Sequence, residues 1–183
     1  MVNSTAWTVC ASHPHATDTY VVRSFKLPNL LPEQAAEKTH ELVEALKPYV
    51  LVGDGGGLGK PYITAYNRRY QTNMVAANKT EKMAHIRLIN GDFQAGRLKL
   101  LLPDSETLAD ELQQLPWADE TKDREHPAYD NDACDSLLYA WRHHRAYLHE
   151  PPPTKQLPKV LQPDDPEWIA MEKRQLTKRW WER

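Results

Sequence analysis

The stretch VLVGDGGGLGK, residues 50–60, constrains this chain more than any other part of it. Five of the seven glycines crowd around a single carboxylate, Asp54, directly behind the short apolar run of residues 49–52. Such a run, preceded by a helical pattern and stopped by glycine, reads as a buried strand, parallel to one of the strands before it. The strand delivers Asp54 at its carboxyl end, which is where open α/β sheets place their ligand sites. Glycines beside a carboxylate let the backbone approach a bulky substrate or adopt positive φ.

The remaining segments supply the frame for that loop. Residues 6–11 and 20–25 are rich in β-branched, aromatic and small apolar side chains around a turn-type PHATD, which predicts a β-hairpin. Residues 32–47 place Ala35, Ala36, Thr39, Leu42, Val43 and Leu46 on one helical face, and Pro48 closes the helix. A second helix is predicted over 60–70, a strand over 74–77, a helix over 80–95 and a strand over 97–102. Further helices are predicted over 105–115 and 130–145, the last with Ala133, Leu137, Ala140 and Trp141 turned inward. Strands followed by strand–helix alternation give an α/β chain with a mixed sheet flanked by helices.

Composition sets the outer limits. The chain has 183 residues, 26% of them charged, a formal net charge of −2 and a mean hydropathy of −0.71, which fits one domain of ordinary size with no membrane span. Its first residues, MVNSTAWTVC, lack the pattern of a secretion signal, and two cysteines build no disulfide framework, so a cytoplasmic setting is expected. Near-neutral charge means that any nucleic-acid binding must come from a local patch. Six prolines between residues 151 and 166 mark a linker. The expected division is therefore a folded unit over 1–150, a proline-rich linker over 151–164 and an amphipathic helix over 165–183.

Three chemistries compete for the glycine loop. A P-loop would end as Gly59 and Lys60 do, but Asp54 would repel phosphates and Pro61 cannot ligate magnesium. A dinucleotide loop fails in register, because the sixth position is Leu58 counted from Gly53 and Lys60 counted from Gly55. In the third reading Asp54 is a metal ligand beside a nucleic-acid backbone. Two-metal phosphodiester cleavage needs several acids around ions about 3.5–4 Å apart. The candidates lie in PAYDNDACDSLLYAW, where Asp132, Asp135, Tyr139 and Arg142 share one helical face. The alternative is that Asp130 caps this helix and the acids merely favour its positive end.

The order of these pieces closely resembles the C-terminal nuclease domain of bacteriophage terminase large subunits. A hairpin and a helix lead to VGDGGGLG, then AANKTEKMAHIRLINGDFQAGRLKLL, LADELQQLPW and HPAYDNDACDSLLYAW, a match that runs from about Thr5 to Glu150. The resemblance implies a ribonuclease-H-like fold, cleavage of concatemeric double-stranded DNA during genome packaging, and two magnesium or manganese ions. It implies Asp54 and Asp135 as catalytic metal ligands and Lys79 as a catalytic lysine. Asp132 stands where many relatives carry histidine, and either joins the metal site or caps the helix. The implied partners are DNA, the ATPase motor, the small terminase subunit and the capsid portal, in the cytoplasm of a bacterial host.

One departure is large. The family's first catalytic Asp lies on a central strand preceding the segment that matches residues 4–11, and here no Asp occurs before Asp18. The expectation is an incomplete domain, lacking the first central strand and one metal ligand and inactive unless another chain supplies them. A catalytically inactive interaction fragment of the same fold is the alternative. Lys60, Arg68, Lys79 and Lys82 are the candidates for phosphate contact, against the reading that they form a solvated face. The histidines at 13, 15, 143, 144 and 149 read as surface residues, Cys134 as a packing residue, and Trp117 and Trp141 as core anchors. Trp168, Trp180 and Trp181 read as a docking face.

Overall fold

The β-branched and aromatic residues that open the chain pair as a long hairpin, with helices packed on its two faces. In the computed structural model, residues 4–13, 17–56 and 59–148 are described. Strand β1 (Ser4–Ser12) runs antiparallel to β2 (Thr19–Pro28), with a register shift at Val9/Cys10. Helix α1 (Pro32–Leu46) starts with proline at its first position, where a missing N–H costs nothing, and the Leu31 N–H donates to Gln34 Oε1 at 2.9 Å. It ends at Lys47, in the left-handed region at φ 47°, ahead of Pro48.

A parallel unit follows: β3 (Leu51–Gly53), α2 (Gly59–Tyr70) and β4 (Met74–Ala76). Then come α3 (Lys82–Gln94), β5 (Leu98–Leu100), α4 (Glu106–Gln114) and α5 (Asp132–Leu148). β5 joins the free side of β2 in parallel, so the first sheet is mixed, with order β1-β2-β5, while β3 and β4 form a second sheet. The chain is thus mixed α/β, with five helices among the described residues.

This corrects one expectation. β3 is parallel to neither strand of the hairpin; its ladder goes to β4 alone. The reason is local: β3 bonds for only three residues, and the short α2 crossover returns the chain directly to its side.

Both sheets share the same two sides. Along β1, Ala6 and Cys10 face the larger core, whereas Trp7, one position from Ala6, stacks on Phe25 and donates from Nε1 to Thr39 Oγ1 of α1 at 2.9 Å. Along β3, Leu51 packs toward Ala36 of α1 and Ile63, Tyr66 and Met74. Val52, one position on, lines a cavity of about 440 Å³ with residues of α3 and α5. So α1 lies over one side of both sheets and α5 over the other.

The larger core joins the first sheet to α3, α4 and α5 through Val21, Ile89, Leu98, Leu108, Leu137 and Trp141. Buried Asp92 fastens it: Oδ2 accepts from Trp141 Nε1 and Arg145 Nη1, both at 2.9 Å, and Oδ1 from Arg97. Both thiols belong to this half. Cys134 lies in the core, and burial pushes the Cys10 thiol up to about 12. No helix among the described residues is long and apolar enough to cross a membrane. The chain divides after Glu150, and the linker and terminal helix expected beyond it lie outside the described residues, as do Trp168, Trp180 and Trp181.

Candidate functional site

Parallel pairing of β3 and β4 brings the loops after both strands to one end, which is why residues 25 positions apart meet there. Asp54 follows β3 and Lys79 follows β4. Lys79 Nζ lies 2.6 Å from Asp54 Oδ1 and donates to Oδ2 at 2.7 Å. The Gly56 N–H also donates to Asp54 Oδ1, at 2.7 Å. Burial opposes ionisation of Asp54, but the bonds from Lys79 and Gly56 together outweigh it and hold the carboxyl below its usual range.

The glycines have a steric reason at two positions. A Cβ on Gly56 would come 2.9 Å from Lys79 Nζ, and one on Gly59 would lie 1.9 Å from the Asp54 carbonyl oxygen. No side chain is compatible with the second contact, so the start of α2 rests against the backbone of Asp54.

Asp135 reaches the same region from α5. Its Oδ1 lies 2.6 Å from Lys82 Nζ, in an ion pair rather than an aligned hydrogen bond, and its Oδ2 accepts from Tyr139 Oη at 3.4 Å. Lys82 also pairs with Glu125 at 2.5 Å. Burial pushes the Asp135 carboxyl up, against the pull of Lys82, and Glu125 pushes the same way. Lys79 Nζ sits 5.4 Å from the centroid of the Tyr139 ring, so the two acids are joined by a chain of contacts: Asp54, Lys79, Tyr139, Asp135. Arg142 pins this arrangement, donating to the carbonyls of Asn78 and Thr80 and to Thr80 Oγ1 on the loop that carries Lys79.

Asp132 has different company. Burial raises its carboxyl, and its charged neighbours are Glu111, Lys26, Asp130 and, least, Asp135. The first turn of α5 is capped by neither Asp130 nor Asp132: the buried Cys134 N–H donates to Glu111 Oε1 of α4 at 2.8 Å. Lys26 neutralises that carboxylate at 2.8 Å and reaches Asp130 at 3.3 Å. Lys60 and Arg68 lie on α2 and line an open groove with Arg69, Pro61, Thr64 and Ala65 that begins beside the Asp54 loop.

Glu125 and the pairing role of Lys82 escape sequence reasoning. Glu125 lies in a loop of mixed charge without periodicity. Its bridge to Trp117, the bond it accepts from Asn131 Nδ2 at 3.1 Å and the Lys82 ammonium position it.

As they stand, these residues do not fit a pair of divalent ions. Among the described residues no three His, Cys, Asp or Glu side chains gather around one point, and an ammonium lies 2.6 Å from each of the two aspartates. The site is a ladder of alternating charge that can present lysines to an anion. No family model, curated protein or solved structure matches this chain.

Proposed function

We infer that this chain is a terminase-type nuclease domain with an incomplete site: it binds the phosphate backbone of double-stranded DNA and does not cut it unaided. The observation that carries the reading is the meeting of Asp54, from the carboxyl end of β3, with Asp135, from the first turn of α5, through Lys79 and Tyr139. The mixed β1-β2-β5 sheet, the parallel β3–β4 pair and the packing of α5 on both support a ribonuclease-H-like frame. In this reading Lys79 and Lys82 exchange carboxylate for phosphate as DNA arrives, and Lys60 and Arg68 continue the track along α2. Magnesium or manganese, the ions the resemblance implies, would need a further acid beside Asp54 and Asp135, and no step is assigned to them here.

The alternative is an inactive interaction fragment, favoured by the lysine partner that each acid already has. Fluorescence anisotropy with a short duplex separates the two. Binding is expected to weaken with salt, and Lys60→Ala and Arg68→Ala are each expected to lower the slope of log K against log salt by about one. No binding at low salt would leave the interaction reading in place. With plasmid and manganese the chain is expected to cut little, and robust cutting lost in Asp54→Ala would overturn the incomplete site.

A further inference from the structure

The cavity of about 440 Å³ between β3, α3 and α5 is lined by two arginines and two histidines, Arg142, Arg145, His85 and His143, and by no Asp or Glu among the described residues. Val52 of β3 and Leu88 of α3 give it an apolar wall, and Leu88, 46% exposed, reaches solvent there. Its volume falls within the range of small-molecule sites, about 300–1,000 Å³.

The two arginines differ in their company. Arg145 faces the carboxylate of Asp92 at 2.9 Å. Arg142, half-buried, gives Nη1 to the carbonyls of Asn78 and Thr80 and Nη2 to Thr80 Oγ1, all neutral oxygens. Among the described residues no carboxylate pairs with it. Those bonds fix the plane of the guanidinium without lowering its charge, and they do not use its Nε–H. An anion is the partner that such a group favours, through a charge-assisted bond.

Two further groups of the lining are oriented in the same way. Asn78 Oδ1 accepts from the Thr80 N–H at 3.0 Å and from Thr80 Oγ1 at 2.9 Å, so the Nδ2 end of the amide is left to donate elsewhere. His85 Nδ1 donates to the Glu81 carbonyl at 3.1 Å, which leaves Nε2 as the outward nitrogen of the ring.

We propose that this cavity seats a nucleoside monophosphate, with the phosphate on Arg142 and Asn78 and the sugar and base against Val52, Leu88 and the rings of His85 and Tyr139. Inorganic phosphate would satisfy the arginine and leave the apolar wall wet. A planar base covers that wall and stacks on aromatic rings, with little demand on which base it is. The cavity also shares two residues with the acid–lysine ladder: Asn78 precedes Lys79, and Tyr139 Oη donates to Asp135. The seat for a free nucleotide stands without the nuclease reading; its use for the terminal nucleotide of a phosphorylated DNA strand rests on that reading.

Titration calorimetry of the whole chain at low salt with dAMP, deoxyadenosine and inorganic phosphate tests the seat. dAMP is expected to bind about tenfold or more tighter than either of its parts. Its addition is expected to move the Arg142 Nε–H resonance and to leave that of Arg68 on α2 in place. Leu88→Glu sets a carboxylate in the wall and is expected to weaken dAMP by about tenfold or more, whereas the neutral Leu88→Gln costs about threefold or less. No binding of dAMP, equal binding of dAMP and phosphate, or parental affinity in Leu88→Glu would each overturn the seat. Anisotropy then compares duplexes with 5′-phosphate and 5′-hydroxyl ends, and a preference for the phosphate that is lost in Leu88→Glu is expected. dAMP binding without that preference would remove the strand-end role and leave the seat. Duplex binding without dAMP binding would remove the seat and leave the nuclease reading.

Discussion

Among the described residues, the half built on β1, β2 and β5 gathers nine buried side chains into one cluster with α3, α4 and α5, whereas the half built on β3 and β4 gathers four with α1 and α2. The larger half is held by aliphatic packing and a buried, fully bonded Asp92; the smaller by three-residue strands and a row of tyrosine rings in contact at positions 62, 66 and 70. The candidate site takes Asp135 from the first and Asp54 from the second. Its geometry is therefore set by the joint between the halves, through Arg142 and the two lysines, more than by the rigidity of either.

The largest break in that comparison comes from the larger core. Leu137→Ala removes a fully buried side chain and is expected to cost about 2–5 kcal/mol in urea unfolding, and to release exchange protection everywhere. Ile63→Ala, by contrast, is expected to release β3 and β4 while β1 and β2 stay protected. Simultaneous loss in both halves would show one cooperative unit.

Gly59→Ala comes next. Its Cβ would meet the Asp54 carbonyl oxygen at 1.9 Å, so the loop must move, at about 2 kcal/mol and confined to the smaller half. Glu111→Gln weakens the cap on α5 and its pairing with Lys26, at about 1–2 kcal/mol in the larger half. Unchanged stability would place the capping of α5 elsewhere.

The smallest effect is in titration, and it sharpens the contrast between the two acids. The folded carboxyl of Asp54 lies below its ordinary value of 3.8, so the stability it contributes is full above that value and is lost as pH falls through the folded one. Asp135 is displaced upward, so its ionised form costs stability at neutral pH, and acidification through its raised value relieves that cost. Carboxyl carbon shifts followed by NMR should show Asp135 taking its proton first. The reverse order would mean that Lys82 outweighs burial at Asp135.

The helices were legible because their periodicity and stops are local: Pro32 and Pro48 bracket α1, and the α2 pattern runs to Tyr70. The division of the sheet was not, because nothing in Leu51–Gly53 specifies which edge it bonds to; that follows from α2 and β4. Asp54 and Asp135 stood out by their place after a strand and at a helix start. Lys79 and Lys82 stood out as well, but toward phosphate; their pairing with carboxylates did not, since an ion pair such as Lys82 with Glu125, 43 positions apart, leaves no periodic trace. Asp132 shares a helical face with Asp135, but its largest charged influence is Glu111 of α4, a neighbour that the sequence does not reveal.

The placement of sulfur has a practical consequence. The sequence has two cysteines, and both thiols sit in the larger half, with none in the smaller. A maleimide or disulfide reagent thus acts as a one-sided clock: its reaction rate records how often the hairpin and α5 part, and stays silent while the glycine loop and its two short strands open and close.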